Sequence, residues 1–160
     1  MIFREMVHWS DGLFLQPHHM QQLQNSMIDV QQKSFMLSTF YTYGLIDFKI
    51  DEEALEGMRF VVKKLSAVMP NNLSVSMPGN LNITPFTFEP TEYINDEHIM
   101  VYLAIPHYKD TDANLSYNDN ERVYSTKEMF IRDENTGDNE ISMLKRIYNG
   151  KITTNKRNGK

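Results

Sequence analysis

Apolar and polar positions follow a helical period early in the chain and a period of two after it. Between His18 and Phe40 there is neither glycine nor proline, and apolar residues recur at spacings of three and four, interrupted at Ser34. The stripe consists of Met20, Leu23, Met27, Val30, Leu37 and Tyr41. The pattern predicts an amphipathic helix over about residues 18–41, with its stripe packed against a β-sheet. Self-association as a short coiled coil is the alternative.

After Tyr43-Gly44 the pattern becomes typical of β-strands. Residues 46–50 alternate between apolar and polar, as a half-buried strand does. Two further runs, 58–69 and 73–77, flank a Pro-Asn-Asn turn and predict a hairpin. Residues 84–90 contain two prolines and are expected to be loop or edge. Residues 98–105 are nearly all apolar, which predicts a central strand buried on both faces.

The last third of the chain alternates loops and strands. Residues 109–121 are acidic and lack apolar periodicity, which indicates a surface loop. Residues 122–132 and 140–148 are predicted as strands, and Asn149-Gly150 predicts a type I′ turn into residues 151–154. We therefore expect a mainly β protein: an antiparallel β-sandwich with an N-terminal arm and one amphipathic helix. The expected boundaries are arm 1–17, helix 18–41 and sandwich 44–155, in a single domain of residues 1–160.

Composition narrows the classes of function. The net charge is -5 and the pI about 5.5, so no basic surface is expected and nucleic acid is excluded as a partner. Cysteine is absent, which excludes disulfides, thiolate nucleophiles and cysteine metal sites and fits a reducing cytoplasm. No signal peptide and no membrane-spanning run of apolar residues is recognised.

No catalytic, cofactor or metal site is predicted. Phosphate-binding glycine loops, nucleophile elbows and zinc-protease motifs are all missing. His18 and His19 are neighbours, so on a helix their side chains diverge by about 100° and cannot share a metal. The acidic loop lacks the order of ligands and glycine of an EF-hand, so a solvated loop is favoured over a calcium site. Its acidic residues are Asp110, Asp112, Asp119 and Glu121.

The opening segment places large apolar residues ahead of any core. Trp9 is the sole tryptophan, Gly12 interrupts regular structure and Pro17 ends the extended run. The order Trp, Gly-Leu-Phe-Leu, Pro, His and glutamines resembles the N-terminal motif of the TssK family of type VI secretion baseplate proteins. Residues 43–48, 59–60, 69–71, 101–106 and 133–137 resemble elements of that family in the same order. His18 and Met20 depart from the commoner Gln and Phe.

The resemblance implies a structural assembly module. Family members carry a β-sandwich shoulder similar to that of siphophage receptor-binding proteins, form homotrimers and dock on wedge subunits, TssF and TssG. A C-terminal neck and head, absent here, would recruit the membrane complex, so membrane contact would be indirect. The implied location is the bacterial cytoplasm, at the baseplate beside the inner membrane, and the implied protein is not an enzyme.

The candidate interface residues are those of the opening motif: Trp9, Gly12, Leu13, Phe14, Leu15, Pro17 and His19. Packing of the apolar members on the protein's own sandwich is the alternative to an intermolecular contact. Gly12 and Pro17 are expected to shape the backbone, and His19 to hydrogen-bond the backbone of the arm.

A carbohydrate- or ligand-binding sandwich is the second functional hypothesis. It would use tyrosines as a stacking platform: Tyr41, Tyr43, Tyr93, Tyr102, Tyr108 and Tyr117. Tyr102 falls in a strand predicted to be buried and the others are scattered along the chain. The assembly role is therefore favoured.

Overall fold

The computed structural model describes residues 3–38, 40–89, 98–117 and 121–154. These residues form a mainly β protein with one long helix. The elements are α1 (Pro17–Ser38), β1 (Gly44–Ile50), α2 (Glu52–Glu56), β2 (Arg59–Phe60), β3 (Val62–Val68), β4 (Ser74–Met77), β5 (Leu81–Thr84), β6 (Phe86–Thr87), β7 (Val101–Ala104), β8 (Tyr124–Ile131) and β9 (Ile141–Thr154).

The chain divides into two compact units. The first comprises Met1–Ile46 with Ala67–Ser74, and the second comprises Asp47–Ser66 with Val75–Lys160. In the first unit the arm and the turn before β4 both contact α1. Asn72 is buried, its amide nitrogen donates to the Gln32 carbonyl over 3.2 Å, and it accepts a hydrogen bond from Thr42. The prediction of a single domain stays a prediction.

The second unit contains most of the core. Buried apolar side chains come from several strands and the segments beside them: Val62, Leu65, Val75, Leu81, Ile83, Phe88, Val123, Tyr124 and Ile147. The rings of Phe48, Phe60, Phe88 and Phe86 pack in that order, with the centroids of neighbouring rings 5.1 to 6.4 Å apart. The described strands form three sheets, ordered β1-β3-β4, β2-β6 and β5-β9-β7, and β8 also pairs with β9.

Strand β9 is the organising strand of the largest sheet. It pairs antiparallel with β8 over residues 141–148, parallel with β5 over 148–151, and antiparallel with β7 over 151–154. The prediction of a central strand at residues 98–105 is therefore wrong. Only residues 101–104 form a strand, which lies at the end of the sheet order, and Tyr102 is 49% exposed.

The predicted turn at Asn149-Gly150 is also wrong, because both residues lie inside β9. Asn149 is 1% exposed and its side chain bridges two neighbours: it accepts from Ser125 Oγ over 2.8 Å and donates to the Arg122 carbonyl over 2.9 Å. A Cβ on Gly150 would lie 3.0 to 3.2 Å from Leu103, Ile83 and Leu81. The pair is thus selected by hydrogen bonding and close packing at the centre of the sheet.

Several other predictions are confirmed. Strand β1 covers residues 46–50, β3 and β4 pair across the predicted turn, and β8 falls within residues 122–132. The long helix runs from Pro17 to Ser38, so it starts one residue earlier and ends three earlier than predicted. The sequence pattern did not predict α2 or β5. Helix α2 is capped by Asp51, whose side chain accepts a hydrogen bond from the Ala54 amide over 3.3 Å.

The apolar stripe of α1 does not pack as predicted. Met20, Met27, Val30 and Leu37 are 46% to 73% exposed. The half-buried face instead carries Gln22, Asp29 and Lys33 together with Leu23 of the stripe, and it is the face that bonds the arm. An amphipathic pattern fixes which residues share a face, but it does not decide which face the chain itself covers.

Candidate protein-interaction surface

The N-terminal arm is held along α1 by polar contacts. The Arg4 amide donates to Asp29 Oδ2 over 2.9 Å, and Gln22 Nε2 donates to the Glu5 carbonyl over 3.0 Å. Lys33 Nζ lies 2.6 Å from the same Asp29 oxygen and 5.1 Å above the Phe3 ring centre. One carboxylate therefore anchors both the arm backbone and a lysine of the same helix.

The ionised form of Asp29 is favoured. Partial burial raises the pKa of this carboxyl, but the bonds from Lys33 and from the Arg4 amide outweigh burial, so its pKa is lowered below the usual value. A charge-assisted anchor of this kind is stronger than a neutral hydrogen bond. The arm is thus fixed at neutral pH at Arg4, beside the second bond at Glu5.

A turn at Asp11-Gly12 then directs the arm into the helix. Gly12 has φ of +74° with no atom near a hypothetical Cβ, so backbone conformation alone explains the glycine. The Gln16 amide donates to His19 Nδ1 over 3.1 Å, which confirms the predicted bond between His19 and the arm backbone. Pro17 is the first helical residue, where its missing N–H costs nothing.

The apolar residues of the arm remain largely uncovered. Trp9 is 50% exposed and its ring lies 6.4 Å from that of His19, tilted by 41°. Phe14 is 81% exposed, Leu15 is 56% exposed, and Leu13 is half-buried. Packing within the chain thus covers about half of the Trp9 side chain and little of the Phe14 side chain. The arm presents an apolar surface on a backbone fixed in place.

The exposed stripe of α1 belongs to the same unit, and sequence reasoning missed it as a surface. A signal was present: Gln22, Asp29 and Lys33 also share a face, with the carboxylate and ammonium at i and i+4. Asp29 and Gln22 on that face bond backbone groups of the arm, whereas most of the apolar stripe is left exposed.

The other candidates do not form a site within the described residues. No group of three or more metal-ligating side chains is found there, and no helix there could cross a bilayer. In the acidic loop, Asp112 accepts from the Ala113 amide and lies 3.6 Å from Lys109, while Asn114 bonds both backbone groups of Lys109. Asp119 lies outside the described residues. Internal bonds thus explain this loop.

The tyrosines of the second hypothesis come from separate segments. Tyr41 and Tyr43 precede β1, Tyr102 is on β7, and Tyr108 and Tyr117 lie in the following loop. Their exposure ranges from 36% to 88%. Tyr93 lies outside the described residues. Nothing in their placement favours a stacking platform.

Comparison with known families confirms the type VI secretion family that the opening motif indicated. A family model described as bacterial type VI secretion, VC_A0110, EvfL, ImpJ, VasE matches residues 19–154. The chain belongs to this family. A search of curated protein sequences finds no match.

Solved structures share the fold. A crystal structure of TssK matches with a TM-score of 0.82 at 18% identity, over 95% of this chain and 35% of that one. A chain of the TssK-TssF-TssG baseplate subcomplex matches with 0.82 at 15% identity, over 99% and 53%. A chain of the type VI baseplate complex matches with 0.81 at 16% identity, over 96% and 50%. This chain therefore spans a third to a half of the length of these structures.

Proposed function

We propose that this chain is a structural, non-enzymatic assembly module of the type VI secretion baseplate. It would act as the N-terminal shoulder of a TssK-like adaptor and dock on TssF- and TssG-like wedge subunits. Membership of the secretion family and the shared fold with a chain of a TssK-TssF-TssG subcomplex support the proposal. The observation that carries it is the arm, whose aromatic residues are exposed although its backbone is anchored.

The same proposal assigns the surroundings of the module. The adaptor would be a homotrimer in the cytoplasm, associated with the baseplate at the inner membrane. Contact with the membrane complex would be made by the C-terminal part of the adaptor, so this module would meet the membrane indirectly. The stacking of a carbohydrate on tyrosines is not proposed, because the described tyrosines are dispersed.

The arm makes the contact in this proposal. A rigidly held segment loses little conformational entropy on binding, and exposed aromatic residues at the centre of an interface contribute most of its free energy. Trp9 and Phe14 are the proposed hot spots, with Leu13 and Leu15 beside them. Gly12, Pro17 and His19 would hold the backbone of the arm in the binding conformation.

The test compares Trp9→Ala and Phe14→Ala in co-elution with the wedge subunits of the same secretion system, by light scattering on a sizing column. We expect Phe14→Ala to weaken binding about 30-fold or more, as a hot spot does. Its melting temperature should hardly change, because the ring is 81% exposed. Trp9→Ala should weaken binding and also lower the unfolding free energy, by about 2 kcal/mol for its buried half.

Tyr117→Ala serves as the matched control, since Tyr117 is 85% exposed and lies far along the sequence from the arm. Binding unchanged in the Phe14 variant, with wild-type complex formation observed, would overturn the assignment of the contact to the arm. Absence of any complex with folded wild-type chain would overturn docking on the wedge.

A further inference from the structure

The distal part of the β8–β9 hairpin projects apolar side chains on both of its faces. Phe130 and Leu144 are 63% and 67% exposed on one face. On the opposite face two cross-strand pairs, Ile131 with Ile141 and Met129 with Met143, form what we term the apolar quartet. Ile141 is 62% exposed, Met143 45% and Ile131 36%. Met129 is half-buried, so the face is most open at Ile141 and Met143.

Charges lie on either side of the apolar quartet. Towards the base of the hairpin, Lys127 and Lys145 are direct cross-strand partners, and neither forms an ion pair with any described residue. Like charges placed opposite each other on a sheet are destabilising. At the other end the turn forms an acidic tip, made of Asp133, Glu134 and Asp138.

The spacing of these groups about the middle of the quartet is symmetric on β8 and within one residue of symmetric on β9, where Asp138 comes four residues before Ser142. Lys127 comes three residues before Phe130 and Asp133 three residues after it, and on β9 Lys145 comes three residues after Ser142. Three residues of strand extend about 10 Å. If two hairpins pack face to face and antiparallel, each lysine pair therefore lies opposite the acidic tip of the other hairpin.

We propose that this face binds a second copy of the same chain, through a twofold contact of quartet on quartet flanked by lysine pair on acidic tip. The pattern is self-complementary, as an isologous interface requires, and it relieves the repulsion between Lys127 and Lys145. This contact is independent of the arm and of the wedge subunits, and it differs from a threefold contact.

The area of the face sets the strength of the proposed contact between two copies. Two strands about 5 Å apart, over some seven residues, cover roughly 300 to 500 Å² per partner, below the roughly 800 Å² of a stable interface. The contact is therefore weak between free chains and becomes effective where copies are held near each other, since a high effective concentration replaces affinity.

Sedimentation velocity of the chain from about 10 µM to 1 mM tests the proposal. We expect the average mass to rise with concentration, and the rise to diminish when salt increases, because the flanking pairs are screened. Lys127→Glu with Lys145→Glu, and separately Glu134→Lys with Asp138→Lys, should each raise the dissociation constant about tenfold or more, through like-charge contacts.

Mixing the two charge-reversed variants is the decisive step. In the mixed dimer the glutamates of the first variant lie opposite the lysines at the tip of the second, and the unchanged lysine pair of the second lies opposite the unchanged acidic tip of the first. Association of the mixture should therefore return to within about threefold of wild type. Leu144→Ser, on the opposite face, is the matched control and should leave association unchanged. A chain of constant mass up to 1 mM, reversal without effect, or a mixture that stays dissociated would each overturn the proposal.

Discussion

Replacement of Asn149 by glycine distinguishes a buried strand residue from a turn residue. In a type I′ turn, glycine is accepted as readily as asparagine, so the change would be nearly neutral. In the structure, Asn149 is 1% exposed within β9 and its side chain makes hydrogen bonds of 2.8 and 2.9 Å to Ser125 and Arg122. The backbone amide, which donates to the Val123 carbonyl, is kept in the variant. The side-chain contribution is thereby isolated.

The expected loss follows from three contributions. Two hydrogen bonds contribute about 1 kcal/mol each, and partners left unpaired in a buried site add to that cost. Glycine inside a strand costs a further 0.5–1 kcal/mol or so. We expect Asn149→Gly to lower the unfolding free energy by about 3 kcal/mol, which corresponds to a fall of about 6 to 12 °C in Tm.

Urea denaturation followed by far-UV circular dichroism measures this loss. Asn139→Gly is the matched control: Asn139 is exposed in the β8–β9 turn with φ of +53°, so glycine there should be neutral or stabilising by a few tenths of a kcal/mol. If the unfolding free energy of Asn149→Gly lies within about 0.5 kcal/mol of the wild-type value, the hydrogen-bonded role of Asn149 is refuted.

Two further predictions concern the arm and a tight turn. Because the pKa of Asp29 is lowered in the folded chain, its stabilisation of the arm is present above the ordinary carboxyl pKa and is lost as pH falls through the folded pKa. Trp9 fluorescence should therefore report release of the arm below about pH 4, and Asp29→Asn should release the arm at neutral pH. Fluorescence identical in the variant and the wild type would contradict the anchor. Gly79→Ala should cost about 2 kcal/mol in urea denaturation, because φ is +153° and a Cβ would lie 2.3 Å from Ser76 Oγ. Ser76→Ala should recover part of that loss, and full stability of Gly79→Ala alone would show that the turn relaxes freely.

Local patterns predicted the parts of the fold that depend on local interactions. The glycine- and proline-free stretch identified α1 to within a few residues, and alternation identified β1. The order of Trp9, Gly12, Pro17 and His19 indicated both the family and the hydrogen bond from the arm to His19. Each of these signals is complete within about 20 residues of chain, so the sequence alone carries it.

Tertiary structure decided whatever depends on partners distant in sequence. Asn149-Gly150 has the composition of a turn, but its strand is set by pairing with β5, β7 and β8, and by side chains that need a small residue at Gly150. Residues 98–105 have the composition of a buried strand, yet β7 lies at the end of the sheet order.

The two surfaces that carry the proposals show the same division. The sequence by itself determined that α1 has an apolar stripe, that the arm contains large apolar and aromatic residues, and that strands are expected at residues 122–132 and 140–148. Only the fold decided that the arm lies on the face of α1 with Gln22 and Asp29 and leaves most of the stripe exposed, and that the quartet is left largely uncovered. The physical reason is that burial depends on which distant segments arrive at a face, whereas periodicity records only which residues share that face.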